Sequence, residues 1–195
     1  MKVYGESLRR FQGHEFRDWP ARRSKIAAYL ERGGRVFRPK GDELVLYLGA
    51  ASGTTVSHLS DLLPTGRIVA VEFSPRPFRE LLHLAADRPN IVPILSDARA
   101  PDAYAAYLER PADLLVQDIA QRDQADIFRR NVERFASKET TCFFAVKSRS
   151  VDVAAAPRKV YEAVKRELTT AGQRIDEVVE LDPFEKDHAM LVVHR

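Results

Sequence analysis

The run Leu44-Val45-Leu46-Tyr47-Leu48-Gly49-Ala50-Ala51-Ser52-Gly53-Thr54-Thr55 restricts the fold more than any other segment of this 195-residue chain. Five apolar residues lead into a turn of small residues, and the turn opens a helical pattern with Val56, Leu59, Leu62 and Leu63 at helical spacing. A second apolar strand, Ile68-Val69-Ala70-Val71, follows and ends in Glu72 and Phe73. Strand, glycine turn, helix, strand and terminal acid is the layout of a nucleoside-binding βαβ unit. Gly49 and Gly53 let a ligand come close to the backbone, and the free N–H groups of the helix start face it. Glu72 is placed to accept hydrogen bonds from two ribose hydroxyls. The segment points to an adenosine-type cofactor.

A dinucleotide site carries G-x-G-x-x-G, whose second glycine makes room for a pyrophosphate. Here Ala51 stands at that place, and no P-loop lysine follows to hold a triphosphate. A ligand without phosphates fits better, and S-adenosyl-L-methionine is the expected one. A dinucleotide, or a glycine turn that only joins strand to helix, stays open on this segment alone.

Apolar patterning predicts strands at about 43–48, 67–72, 91–95, 112–118, 140–147, 174–181 and 189–194. Helices are expected between them at about 54–63, 75–87, 101–109, 122–136 and 155–171, after an earlier helix around Ile26–Leu30 that Gly33-Gly34 stops. The first twenty residues read as an irregular or two-stranded lead-in. Only Asp182-Pro183-Phe184-Glu185-Lys186-Asp187-His188 joins the last two strands, too short for the dozen or more residues of a parallel crossover, so they pair antiparallel. The fold class expected is α/β: a Rossmann-like methyltransferase fold with a seven-stranded, mostly parallel sheet, one antiparallel strand and helices on both faces. The reversed strand strengthens the case for S-adenosyl-L-methionine over a dinucleotide.

Residues 1–40 hold eleven Lys or Arg against four Asp or Glu, a balance of +7, while the remainder is slightly acidic. A basic end on an acidic body suits a nucleic-acid footprint, with a merely solvated Arg-rich surface as the alternative. The expected division is a basic extension and lead-in helix over 1–40 and a catalytic domain over 41–195. No apolar run approaches the ~20 residues of a membrane span, and no signal peptide is evident, so a cytoplasmic protein without membrane contact is expected. The single Cys142 lies in an apolar strand and reads as a small core hydrophobe, and no Cys/His spacing suggests a metal.

In a doubly wound sheet, function collects at the carboxyl ends of the strands. Those ends carry Gly49, Glu72, Asp97, Asp118 and Lys147. Asp97, with Ala98 beside it, is placed to accept from the exocyclic amine of an adenine, and Phe73 to stack on the same base. Lys147 emerges beside the cofactor pocket, where desolvation or a second cation would lower its pKa. Asp97 and Asp118 as helix caps, and Lys147 as a surface lysine, are the plainer readings.

Several blocks together resemble the fibrillarin-like RNA 2′-O-methyltransferases: Val45 through His58, Ala70-Val71-Glu72-Phe73-Ser74, Asp118-Ile119-Ala120-Gln121 with Asp123-Gln124-Ala125, and Glu185-Lys186-Asp187-His188-Ala189-Met190. Arg23-Ser24-Lys25-Ile26-Ala27-Ala28 is similar to the family's helix ahead of the catalytic domain. The resemblance runs from about Val3 to Arg195. It implies a catalytic set of Lys25, Asp118, Lys147 and His188, in which a histidine takes the place that glutamate holds in related Lys-Asp-Lys-Glu enzymes. It implies cofactor contacts at Gly49, Ala51, Thr54, Thr55, Glu72, Phe73, Asp97, Ala98, Asp118 and Gln121, and no metal. In the expected chemistry Lys147 is the base, Lys25 adds positive potential, Asp118 orients Lys147, and His188 positions Lys147 or the ribose.

The resemblance also implies partners: a box C/D guide RNA, target ribosomal or transfer RNA, a Nop-domain scaffold and a kink-turn-binding protein in one archaeal particle. Archaeal members usually begin with a small β domain, of which only the last piece is recognisable from Val3-Tyr4-Gly5-Glu6 onward. Ser137-Lys138-Glu139-Thr140 replaces the family's usual glycine turn. A same-fold methyltransferase acting on protein or a small molecule, and a non-catalytic ribonucleoprotein subunit, are the competing readings. The intact set of four side chains argues against the second.

Overall fold

The computed structural model describes residues 2–195. A two-stranded antiparallel hairpin comes first, β1 (Leu8–Phe11) with β2 (His14–Arg17), then a 3-10 turn at Ala21–Arg23 and helix α1 (Lys25–Glu31). Strands and helices then alternate: β3 (Leu44–Leu48), α2 (Thr54–Leu62), β4 (Arg67–Glu72), α3 (Pro75–Ala86) and β5 (Ile91–Leu95). After a 3-10 segment at Pro101–Tyr107 come β6 (Ala112–Gln117), α4 (Gln124–Phe135), β7 (Ala136–Lys147), the short α5 (Ser148–Val151), α6 (Pro157–Thr170), β8 (Arg174–Glu180) and β9 (His188–His194).

Seven strands form one sheet in the order β5-β4-β3-β6-β7-β9-β8. The first five of these are mutually parallel, and β9 runs antiparallel to both β7 and β8. The last strand of the chain is thus the reversed one, and it lies second from the edge. Strand β3 is buried along its whole length, as a parallel strand covered on both faces must be. One face packs Val45, Tyr47, Phe143, Ala145, Met190 and Val192 against apolar residues of α1, α2 and α3. The other packs Leu46, Leu48, Phe144, Val146 and Leu191 against α4 and α6.

The structure departs from the expected pattern in two places. The segment expected as a helix over 101–109 is a 3-10 segment ending at Tyr107; Tyr104 is its one buried side chain, so no apolar stripe holds a full helix against the sheet. Strand β7 starts at Ala136 instead of about 140, because Ala112 pairs with Ala136 and Leu114 with Thr141. The surplus residues fold out around Thr140, whose Oγ1 donates to the Ala112 carbonyl (2.6 Å) and accepts from the Ser137 N–H (2.8 Å). A threonine side chain does there what a glycine turn does by backbone freedom.

The lead-in is latched to α2. His58 stacks on Trp19 with ring centroids 4.9 Å apart, and its Nε2 meets the Tyr4 hydroxyl at 2.6 Å. Burial, reinforced by Arg17, lowers the His58 pKa to about 4. Burial pushes Glu6 upward, but the N–H groups of Tyr4 and Val3 and the Arg17 guanidinium prevail and hold it at about 2.

Candidate functional site

The chain leaves β3 toward β4 and β5 on one side, then returns to place β6 on the other side of β3. The carboxyl ends of β3 and β6 therefore mark the switch point at which ligands of open α/β sheets bind. The backbones come very close there. A Cβ placed on Gly49 would lie 2.1 Å from the Asp118 carbonyl oxygen, and Gly49 has φ +83°. Both ends are tied into the sheet: the Gly49 N–H donates to Val71 and the Asp118 N–H to Leu48, each at 2.9 Å. Ala51 takes φ +49° without being glycine. Its N–H donates to Glu72 Oε2 (2.8 Å), while Glu72 Oε1 accepts from Ser74 (2.7 Å). The acid at the end of β4 thus fixes the turn after β3, and each of its oxygens keeps a second lone pair for a hydroxyl.

A cavity of about 270 Å³ opens at this point. Gly49, Ala51, Glu72 and Phe73 form one wall, and Asp97, Ala98, Asp118 and Gln121 form the other. Phe73 is 61% exposed, leaving its ring free to stack. Gln121 Oε1 is buried without a hydrogen-bond partner among the described residues, an acceptor suited to a ligand donor. The close approach at Gly49, the paired acceptor edge of Glu72 and this orphaned oxygen fit an adenosyl ligand. Thr54 and Thr55, expected as cofactor contacts, are not among the residues lining the cavity. Thr55 is buried and donates to Ser24 Oγ (3.1 Å), tying α2 to α1, and Thr54 faces the next cleft. That cleft, about 770 Å³ between α2, α3 and the N-terminal segment, is larger. Its Asp61 and Asn90 are satisfied within the protein, and none of the four expected catalytic side chains lines it.

Those four side chains share the α1 face of the sheet. Strand alternation puts Ala145 and Met190 on that face, so Lys147 and His188, each two residues away, project to the same side. Asp118 follows Val116 in the same way. Lys25 begins α1, behind the Ser24 N-cap whose Oγ accepts from the Ala27 N–H. Its Nζ meets both Asp118 oxygens at 2.9 Å. Burial pulls the Lys25 ammonium down, but Asp118, with Glu185 adding, more than reverses this and leaves its pKa raised. The expectation that Asp118 orients Lys147 is corrected: its carboxylate is committed to Lys25. The positive potential of Lys25 accordingly reaches its neighbours as half of an ion pair.

Lys147 and His188 are register partners in the β7–β9 ladder. The Lys147 N–H and C=O both bond to the Gln124 side chain, and the His188 carbonyl to Leu181 on the β8 side. Their backbone groups point away from one another, which makes them a non-hydrogen-bonded pair, the kind that brings side chains nearest. His188 Nδ1 lies 2.7 Å from the Lys186 carbonyl, which can only accept, so Nδ1 carries the proton and Nε2 keeps a lone pair. Burial lowers the His188 pKa, the Lys186 carbonyl opposes this and Lys25 reinforces it. His188 is therefore a neutral acceptor at pH 7.

Around the cavity, Arg99 bridges the loops after β5 and β6 with a two-pronged contact to Asp123 (2.6 and 2.8 Å), while its N–H donates to Asp97. Neither Arg99 nor Gln124 was singled out by function from the sequence. The signal for Gln124 is its place on the buried stripe Gln124-Phe128-Asn131-Phe135 of α4, where an amide needs a partner. Among the described residues no group of three or more His, Cys, Asp or Glu is arranged to hold a metal ion, and no helix is long and apolar enough to cross a membrane.

The family model described as Fibrillarin matches residues 1–195. A protein of Sulfolobus acidocaldarius named fibrillarin-like rRNA/tRNA 2′-O-methyltransferase is 48% identical over 194 residues, covering 98% of this chain and 83% of that one. The solved Aeropyrum pernix fibrillarin with natively bound S-adenosyl-L-methionine is 46% identical, with a TM-score of 0.88 over 99% of this chain and 84% of that one. The fibrillarin of a solved fibrillarin/Nop5p complex is 42% identical, with a TM-score of 0.87 over 95% and 86%.

Proposed function

The chain belongs to the fibrillarin family, and from that membership and its site we infer that it transfers a methyl group from S-adenosyl-L-methionine to the 2′-hydroxyl of ribose in ribosomal and transfer RNA. The observation that carries this reading is the Lys25–Asp118 pair, with Asp118 on the cavity wall and the register partners Lys147 and His188 projecting from the same face of the sheet.

The cofactor supplies an electrophilic methyl group on a sulfonium centre. In this reading Glu72 holds its ribose, Asp97 and Phe73 its adenine, and Gln121 Oε1 takes one of its donors. Lys147 Nζ takes the O2′ proton while that oxygen bonds to the methyl carbon and the carbon–sulfur bond breaks, its electron pair staying on sulfur, so that S-adenosyl-L-homocysteine leaves. His188 Nε2 accepts from the lysine and fixes where its own lone pair points. Lys25 stays charged, faces the negative charge growing on O2′, and is held there by Asp118. The ion pair keeps that potential in place without a proton of its own to move.

A Nop-domain scaffold is the partner, by the complex that a relative forms with Nop5p. A box C/D guide RNA and a kink-turn-binding protein complete the particle in this proposal. The basic balance of residues 1–40 supports contact with a phosphate backbone, which positions RNA without reading its sequence.

The test is methyl transfer from labelled S-adenosyl-L-methionine to a guide-paired RNA in the reconstituted particle, with ribose or 2′-deoxyribose at the guided position. Label on the ribose substrate alone is expected. Label on both moves the acceptor to a base or a protein, and label on neither leaves the chain a subunit without this activity.

A further inference from the structure

Gln124 opens α4 and has no exposed surface. Its side chain is fully occupied: Oε1 accepts the Lys147 N–H (2.9 Å), and Nε2 donates to the carbonyls of Lys147 and Gln121 (3.1 Å each). Its own carbonyl accepts from the buried Gln117 Nε2 at 2.7 Å. The need for such a clamp follows from strand lengths. Strand β6 ends at Gln117, opposite Phe144, so β7 runs on through Ala145, Val146 and Lys147 with no strand beside it on that side. The peptide groups of Lys147 that face α4 would otherwise be buried without partners. Ladder alternation turns the Lys147 backbone away from β9, which makes Lys147–His188 the close, non-hydrogen-bonded kind of pair, and one amide then replaces the missing strand for the peptide groups left facing α4.

We propose that Gln124 is the positioning residue of the lysine base and links it to the cofactor wall. The inference rests on Lys147 acting as the base. Gln121 lines the cavity, its carbonyl shares Gln124 Nε2 with the Lys147 carbonyl, and a shift of the Gln121 loop on ligand binding therefore reaches the backbone from which the lysine projects. Placement of a reacting group to within an ångström decides rates by about a hundredfold, which makes such a link consequential.

The test is Gln124→Glu in the full reconstituted particle. It keeps length and the acceptor for the Lys147 N–H, but sets an oxygen against two carbonyls. Single-turnover methyl transfer is expected to fall about 10- to 100-fold, while the dissociation constant for S-adenosyl-L-methionine moves less than about threefold. On a Lys147→Ala background the same change should alter the residual rate less than about twofold, since the group it positions is gone. An unimpaired rate in folded Gln124→Glu, or equal losses on both backgrounds, overturns the inference. A fully active Lys147→Ala removes the base assignment and this inference with it, whereas an inactive Lys147→Ala beside an unimpaired Gln124→Glu removes Gln124 alone. If Gln124→Glu does not fold, Gln124→Met, similar in length and without the amide, is measured the same way. A readout free of turnover and of any variant is amide hydrogen exchange in the wild-type protein: adding cofactor should slow exchange at Lys147 together with the Gln121 loop. No change at Lys147 overturns the link.

Discussion

Replacing Gly49 with alanine separates two costs that the switch point combines. The first is backbone conformation: φ is +83° at Gly49, and holding an L-residue in left-handed space costs about 1–2 kcal/mol. The second is steric. The new Cβ would stand 2.1 Å from the Asp118 carbonyl oxygen, 2.8 Å from its carbon and 2.9 Å from Ile119 Cγ2. Backbone cannot swing aside as a side-chain tip can, and this backbone is fixed by the Asp118–Leu48 hydrogen bond and by the carboxylate on Lys25. Overpacking of this sort adds about 1–3 kcal/mol. The sum, about 2–5 kcal/mol, corresponds to a melting temperature lower by roughly 10 °C for a domain of this size. Gly33 is the control: its φ is +89°, but nothing lies within 4 Å of its added Cβ, so Gly33→Ala carries the backbone cost alone. The assay is thermal unfolding of both variants together with calorimetric titration of S-adenosyl-L-methionine. Gly49→Ala should be the less stable by the steric share and should bind cofactor at least about tenfold more weakly, because 1.4 kcal/mol of misplacement suffices for that. Gly33→Ala should bind normally. Equal melting temperatures for the two would refute the close approach of β3 and β6 as the reason for a glycine at position 49.

Asp118→Asn leaves the shape but strips Lys25 of its partner, and methyl transfer should fall by about 100-fold or more. The stability cost is about 1–2 kcal/mol, since both side chains keep some solvent contact. Because Asp118 raises the Lys25 pKa in the folded state, the ion-pair stabilisation is full below the unfolded lysine value of about 10.5 and is lost as pH rises through the folded one. Stability curves of wild type and Asp118→Asn should therefore converge in alkali, and a gap that persists there counts against the pairing. On the acid side, His58 is held at about 4 and Glu6 at about 2, so the unfolded state takes up protons first. Stability should decline as pH falls from about 6.5 to 4 through His58 and from about 4.5 to 2 through Glu6, by at most about 1.4 kcal/mol per pH unit per group. His58→Phe should flatten the upper limb in urea titrations; an unchanged slope removes His58 as its source. Arg99→Ala breaks a solvent-screened, exposed pair that adds little to stability, yet that pair joins the two loops flanking the cavity. Its melting temperature should stay near wild type while cofactor dissociation in stopped flow quickens a few-fold, and more in low salt than in high; an unaltered off-rate rejects the strap.

The strand ends were legible because their signals are local. A parallel strand buried on both faces reads as an unbroken apolar run, and its carboxyl end is marked by the first residue that breaks it, as with Gly49, Glu72 and Lys147. What those residues do to one another was not legible. Lys25 and Asp118 are 93 residues apart, and their pairing depends on how α1 docks against the sheet. The chemistry expected of the catalytic set gave Asp118 the task of orienting Lys147, whereas the structure pairs it with the helix start. The 3-10 segment at 101–107 and the early start of β7 likewise turn on tertiary packing around Tyr104 and Thr140. Gln124 is the sharper case. An amide near a helix start reads as a solvent-facing side chain, and the mismatch in length between β6 and β7 gives this one its partners in the interior. Residues that end strands advertise themselves; residues that repair where a neighbouring strand stops short do not, because the defect they repair belongs to the pairing and not to either segment. Polar side chains on the apolar stripe of a crossover helix are accordingly where a sequence of this fold hides its positioning groups, and Asn131, also fully buried and bonded to Tyr104 and to the Ala98 carbonyl of the cavity wall, extends the same logic from Lys147 to the adenine end.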